Sequence, residues 1–248
     1  MYEIDTQLPF TNGSEEQSEN DASLAHRLSE AGLSGAAGLR ITEIFFSLQG
    51  ETSRVGLPTV FIRLTGCPLR CSYCDTAYAF TGGRTLAITE ILRQVAQYAP
   101  RYVTVTGGEP LAQKNCAALL KALCDAGYRV SLETSGALDI SVVDIRVMKV
   151  VDIKTPASGE MEKNRWGNLS QLLPQDEIKF VICDKNDYLW ARQMLVQHHL
   201  SDKCEVLFSP AQGTLSATEL ADWILKDGLP VRFQLQLHKI LWNNEAGH

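Results

Sequence analysis

No Lys/Arg-rich block occurs anywhere in this sequence of 248 residues, and 23 basic against 29 acidic side chains leave a formal net charge of −6. A phosphate backbone is gripped by clustered cations, so nucleic acid is not an expected partner. Long apolar runs are also missing, and none approaches the roughly 20 residues that span a bilayer. With no basic segment leading into an apolar stretch near the N-terminus, the expectation is a cytoplasmic protein that does not enter membranes. Paired cysteines are lacking too: seven is an odd number and nothing marks the chain for secretion, so the thiols are expected to stay reduced. Four of them, Cys116, Cys124, Cys183 and Cys204, are scattered on apolar periodic segments and read as small buried hydrophobes. There is no internal repeat.

What is present is ordinary globular composition, 45% hydrophobic and 21% charged, at a length that suits one sizeable core. Residues 1–39 stand apart: Glu3, Asp5, Glu15, Glu16, Glu19, Asp21 and Glu30 face a single Arg27. A segment so acidic and poor in branched apolar residues reads as a solvated, disordered tail. Residues 40–248 read as a single domain in which short apolar runs alternate with helical periodicity, the pattern of an α/β fold with a mostly parallel sheet. Strands are predicted at 60–64, 102–106, 129–133, 148–153, 178–182, 205–208 and 231–237. Helical faces are carried by Ile88, Ile91, Leu92, Val95 and Ala99, and by Cys116, Leu119, Leu120, Leu123 and Cys124. Ser216 and Glu219 form a capping box for a helix carrying Leu220, Trp223 and Ile224.

In parallel α/β proteins ligands gather at the carboxyl ends of the strands, where loops diverge over a fixed sheet. Here that end carries Gly66-Cys67, Gly107-Gly108-Glu109-Pro110, Thr134-Ser135-Gly136, Lys154-Thr155-Pro156 and Ser209-Pro210. The first of these opens the run Cys67-Pro68-Leu69-Arg70-Cys71-Ser72-Tyr73-Cys74. Three thiolates spaced C-x3-C-x2-C hold three irons of a cubane cluster, and without a nearby fourth cysteine one iron stays open. The alternative is a zinc site, which prefers four closed ligands in paired spacing and finds neither a second pair nor a nearby histidine.

With Tyr73 as the aromatic residue before the third cysteine, this run resembles the hallmark of the radical S-adenosylmethionine (SAM) superfamily, and Gly107-Gly108-Glu109-Pro110 resembles that family's SAM-contacting turn. The resemblance implies an incomplete TIM-like βα barrel, a 4Fe-4S cluster on Cys67, Cys71 and Cys74, and SAM on the open iron. From about Ile44 to Leu241, further segments resemble the branch that converts 6-carboxy-5,6,7,8-tetrahydropterin to the deazapurine precursor of queuosine with loss of ammonia. By that resemblance Leu48, Gln49, Gly50, Glu51, Arg63, Thr106, Glu133, Gln236 and His238 meet the pterin, whose carboxylate and aminopyrimidinone edge call for a cation and for amide or carboxylate groups. For Arg63 and Glu133 a buried ion pair inside the sheet stays open as the other reading.

On the cofactor side the resemblance points to Tyr73, Cys74, Asp75, Gly108, Glu109, Ser135, the Asp152-Ile153-Lys154 strand end, and Ser209, Pro210, Ala211 and Gln212. Other members carry Ser-Pro-Lys at 152–154, a departure that leaves Lys154 the firmest of the three. Thr76 matches a position whose hydroxyl meets Mg2+. The implied chemistry is hydrogen abstraction from the pterin, radical ring contraction and return of hydrogen, with SAM regenerated. A homodimer and a flavodoxin-type electron donor are implied as well. A glycyl-radical-enzyme activase and a noncatalytic iron–sulfur module are the rival readings.

Overall fold

A computed structural model describes residues 38–243 and Gly247. The chain folds around one nine-stranded sheet, ordered β3-β1-β2-β4-β5-β6-β7-β8-β9. β1 (Gly38–Leu48) runs antiparallel to both β2 (Pro58–Leu64) and the edge strand β3 (Arg84–Ala87). From β2 onward every pairing is parallel through β4 (Tyr102–Gly107), β5 (Arg129–Thr134), β6 (Met148–Asp152), β7 (Glu177–Ile182), β8 (Glu205–Pro210) and β9 (Arg232–Phe233). The parallel strands therefore end on one side, and two free edges leave the sheet an incomplete βα barrel.

Period-two alternation sorts the side chains of these strands. Val60, Ile62 and Leu64, Val103 and Val105, and Val130 and Leu132 all face α1 (Ile88–Ala96) and α2 (Cys116–Asp125), forming one buried cluster with Ile91, Leu92, Leu119 and Leu120. Ile178, Phe180 and Ile182 with Val206 and Phe208 do the same beneath α3 (Lys185–Gln197) and α4 (Ala217–Asp227). The opposite, inward face is polar: Thr104 and Ser131 share a 2.9 Å hydrogen bond there, and Thr106 donates to Glu133 at 2.9 Å.

Several expectations need correction. β1 and β3 were not anticipated; Phe46, Ser47 and Leu48 end β1. Gly38 and Leu39 were counted with the tail but open β1, where Leu39 is buried; the rest of the acidic tail lies outside the described residues. Residues 231–237 form only the two-residue β9, and Leu237 starts α5 (Leu237–Trp242). Ala99 has left α1, with φ at 45°. Ser216 caps α4 by position, yet its side chain makes no capping hydrogen bond. α3 was missed because Leu189 and Val196 stand exposed, which blurs the apolar stripe. Of the scattered cysteines, Cys116, Cys183 and Cys204 are buried and Cys124 is half-buried.

Candidate active site

A cavity of about 410 Å³ opens at the carboxyl ends of the parallel strands. One end holds the cysteine loop. Gly66 leaves β2 with φ at 100°, and its N–H is held by the carbonyl of Ala79 at 2.8 Å. Arg70 then folds back: Nη1 donates to the carbonyls of Cys67 and Leu69, both at 2.7 Å, and its guanidinium lies over Phe80. The segment after β6 braces the loop from outside, as Ser72 donates through N and Oγ to the carbonyls of Ser158 and Ala157 (3.0 and 2.7 Å). That bracing segment is itself tied down by buried Asp187, which accepts from Thr155 Oγ1 and Ala157 N, both at 2.9 Å.

Cys67, Cys71 and Cys74 all line the cavity and all are free thiols. Burial pushes the Cys67 thiol up and takes Cys71 to about 11, with Lys154 opposing the shift. No three Cys, His, Asp or Glu side chains converge on a single ion among the described residues. Three cysteines on one cavity in this spacing, with no fourth nearby, suit a cluster with one iron left open. Two polar atoms at this end, Tyr73 OH and Asp152 Oδ1, are buried without a partner among the described residues. Unpartnered buried polar atoms are costly, so they fit a site that expects a polar ligand.

The other end is the polar inward face of the sheet. Gln49 Nε2 donates to Thr104 Oγ1 and to Glu133 Oε1, each at 3.3 Å. Glu51 accepts from Lys179 Nζ at 2.7 Å and from Gln236 Nε2 at 2.8 Å. The two carboxyls titrate in opposite directions. Burial drives both up, but for Glu51 the Lys179 ammonium more than offsets it and holds the group at about 2. Glu133 stays raised by burial, with the Glu51 charge adding and Lys179 only partly opposing. Arg63 does not pair with Glu133: its Nε donates to Glu43 at 2.6 Å, so the reading as a buried Arg63–Glu133 pair is wrong.

The structure brings all nine expected pterin-side residues to this cavity: Leu48, Gln49, Gly50, Glu51, Arg63, Thr106, Glu133, Gln236 and His238. It also brings Tyr73, Asp75, Gly108, Ser135, Asp152, Lys154, Ala211 and Gln212 there, together with Thr76. Four cofactor-side residues do not line it. Glu109 is fully buried, and its carboxylate accepts from Thr134 Oγ1 (2.9 Å), Ser135 N (2.7 Å), Ser135 Oγ (2.5 Å) and Leu111 N (3.0 Å). Those bonds fix the turn after β4. Ile153 alternates outward into the apolar cluster, and Ser209 and Pro210 are buried within β8. Gly108 is needed for a protein contact as well, because a Cβ there would sit 2.2 Å from the Gly66 carbonyl and 2.7 Å from Cys67 Cβ.

Two lysines of the site carried no assigned role in the sequence reading. Lys179 rises from the middle of β7, and Lys239 on α5 pairs with Asp75 at 2.6 Å. The signal for Lys179 was available: it is the one cation in the run Ile178–Ile182, on the opposite parity to its branched and aromatic neighbours. α5 closes the cavity rim, with Leu237 N donating to the Gly50 carbonyl at 2.9 Å. A Cβ at Gly50 would lie 2.2 Å from His238 Nδ1, so only glycine allows that approach.

Fold and cysteine loop together define a radical SAM protein, a class that works with a 4Fe-4S cluster and SAM, and the radical SAM superfamily profile matches residues 61–150. The solved structure of QueE from Escherichia coli superposes with a TM-score of 0.68 at 21% identity, covering 91% of this chain and 100% of that one. A 7-carboxy-7-deazaguanine synthase from Chlorobaculum tepidum is 46% identical, covering 86% of this chain and 99% of its own length. One from Koribacter versatilis is also 46% identical, covering 84% and 99%. The chain belongs to the 7-carboxy-7-deazaguanine synthase family. The activase and scaffold readings are set aside by that membership.

Proposed function

We propose that this chain is a radical SAM lyase converting 6-carboxy-5,6,7,8-tetrahydropterin to 7-carboxy-7-deazaguanine with loss of ammonia. The observation that carries the reading is a single cavity with three thiols at one end and a polar, carboxylate-bearing sheet face at the other. When bound, the cluster and SAM together supply a hydrogen-abstracting radical; the chain supplies position and shelter. Cys67, Cys71 and Cys74 would hold the cluster. Tyr73, Asp75, Gly108, Ser135, Asp152, Lys154, Ala211 and Gln212 would bound SAM.

At the far end, Arg63 keeps Nη1 and Nη2 without a hydrogen bond to any described residue, since Glu43 takes only Nε. Those two nitrogens suit a substrate carboxylate. Glu133, Gln49 and Thr106 form a connected set that can read the aminopyrimidinone edge, with His238 and Gln236 closing from α5. Thr76 lines the cavity beside the cysteine loop and offers a hydroxyl to a Mg2+ ion that keeps most of its waters. A flavodoxin-type donor, a homodimer and a cytoplasmic setting complete the proposal on family resemblance. No helix among the described residues is long and apolar enough to cross a membrane.

The test is anaerobic incubation of reconstituted, reduced protein with SAM, Mg2+ and the carboxytetrahydropterin. Deazaguanine product is expected, with SAM not consumed in proportion, and chelation of Mg2+ is expected to slow turnover. Cys71→Ala is expected to lose both the brown iron–sulfur absorbance and product formation. Full turnover by that variant would rule the reading out.

A further inference from the structure

Lys179 occupies a position that favours no charge. Its strand neighbours Ile178, Phe180 and Ile182 are fully buried on the helical face, and the lysine points the other way, into the cavity. Burial by itself would drive its proton off; Glu51, Asp152 and Glu133 together hold it on. Nζ sits 2.7 Å from Glu51 Oε2 and 3.6 Å from Asp152 Oδ2. Those carboxylates come from opposite ends of the site: Glu51 from the loop after β1, and Asp152 from the end of β6 beside the cysteine loop. Each has a second anchor, Gln236 Nε2 on Glu51 at 2.8 Å and Lys154 Nζ on Asp152 at 3.1 Å. Lys154 is fixed in turn, its backbone N–H and carbonyl both bonded to the Asn164 amide at 2.8 Å.

We propose that Lys179 is a positioning residue whose ammonium bridges the pterin end of the cavity, through Glu51, to the SAM end, through Asp152. The inference rests on the function proposed above and adds a residue to it. A second observation points the same way: Asp152 Oδ1 is buried and has no hydrogen-bond partner among the described residues. The bridge therefore holds one carboxylate oxygen of Asp152 and leaves the other for a ligand donor. Besides Glu51 and Asp152, the charged or titratable groups facing this ammonium are Glu133 on β5, Lys154 after β6 and His238 on α5. Removing Lys179 leaves Glu51 and Asp152 short of one cation, so both ends of the site are disturbed by one substitution.

The test uses the full-length, cluster-reconstituted protein and the variants Lys179→Met and Lys179→Arg. Lys179→Met is expected to raise KM for the carboxytetrahydropterin and for SAM by at least about tenfold each, with iron content per chain unchanged. Calorimetric titration of SAM is expected to show the same weakening without turnover. Lys179→Arg keeps the cation and is expected to recover most of both losses. Adding Glu51→Gln to Lys179→Met removes the stranded carboxylate at one end only, so the SAM KM should stay high while the pterin KM changes again. Both KM values within twofold of wild type, or only one of them moving, would overturn the bridge. If Lys179→Met fails to fold, Lys179→Gln with the same two KM measurements decides. A wild-type protein that makes no deazaguanine overturns the proposed function; a working wild type with an indifferent variant overturns Lys179 alone.

Discussion

Glu133 and Glu51 show how little a residue's type says about its state. Both are buried carboxyls on one wall, yet Lys179 stands within 2.7 Å of Glu51 while Glu133 has Gln49 and Thr106 as its hydrogen-bond partners among the described residues. Burial, with the Glu51 charge beside it, raises Glu133 above its ordinary 4.5. The folded state then binds that proton more strongly than the unfolded chain does. Its contribution to stability is complete below about pH 4.5 and is lost as pH rises through the folded value. Glu133→Gln removes that loss. Its melting temperature is expected to match wild type near pH 4 and exceed it at pH 8, by calorimetry at the two pH values. The same variant is expected to raise the pterin KM by about tenfold or more, since an amide cannot present two acceptor oxygens to the ring edge. Equal melting at both pH values would show Glu133 ionised in the fold.

Among the elements, α5 carries the most function per residue. Its first turn and the residue before it supply Gln236 to Glu51, Leu237 to the Gly50 carbonyl and Lys239 to Asp75. A six-residue helix is not stable by itself, so these side contacts hold it in place. Lys239→Met removes the contact that joins α5 to the cysteine loop. Asp75 is 41% exposed on its side chain, so solvent screens the pair and the cost is about 1 kcal/mol or less. Amide exchange in α5 is therefore expected to quicken by up to about fivefold, with the exchange of α1 and α2 unchanged. Uniformly faster exchange would mean that α5 is part of the global fold instead of a local closure. This element was invisible at first reading because Phe233, Leu235 and Leu237 alternate as in a strand. Only the packing of Leu237 and His238 against Gly50 turns the chain into a helix there.

At the scale of the whole molecule, two apolar clusters lie on the outer face of one continuous sheet, the first under α1 and α2 and the second under α3 and α4. Leu120 belongs to the first and Phe180 to the second, and both are fully buried. Leu120→Ala and Phe180→Ala are each expected to cost about 2–5 kcal/mol. Because β5 and β6 join the halves through parallel pairing, each variant should lower one shared unfolding transition in calorimetry. Two resolved transitions would show the halves melting independently. The core strands, the two best-patterned helices and the cysteine run were all legible in the sequence, for one reason. Each rests on local periodicity or on close spacing along the chain, which neighbouring residues decide between themselves. Even the loops that carry chemistry declared themselves, through glycine and polar residues placed after each apolar run. What the chain order does not encode is which distant side chains share a volume. The Arg63–Glu43 pair, the turning of Glu109 into the protein, and the Lys179 bridge between residues 51 and 152 follow from strand order and from which face each residue takes. Those are properties of the assembled sheet, where long-range packing and burial select partners that no local pattern names.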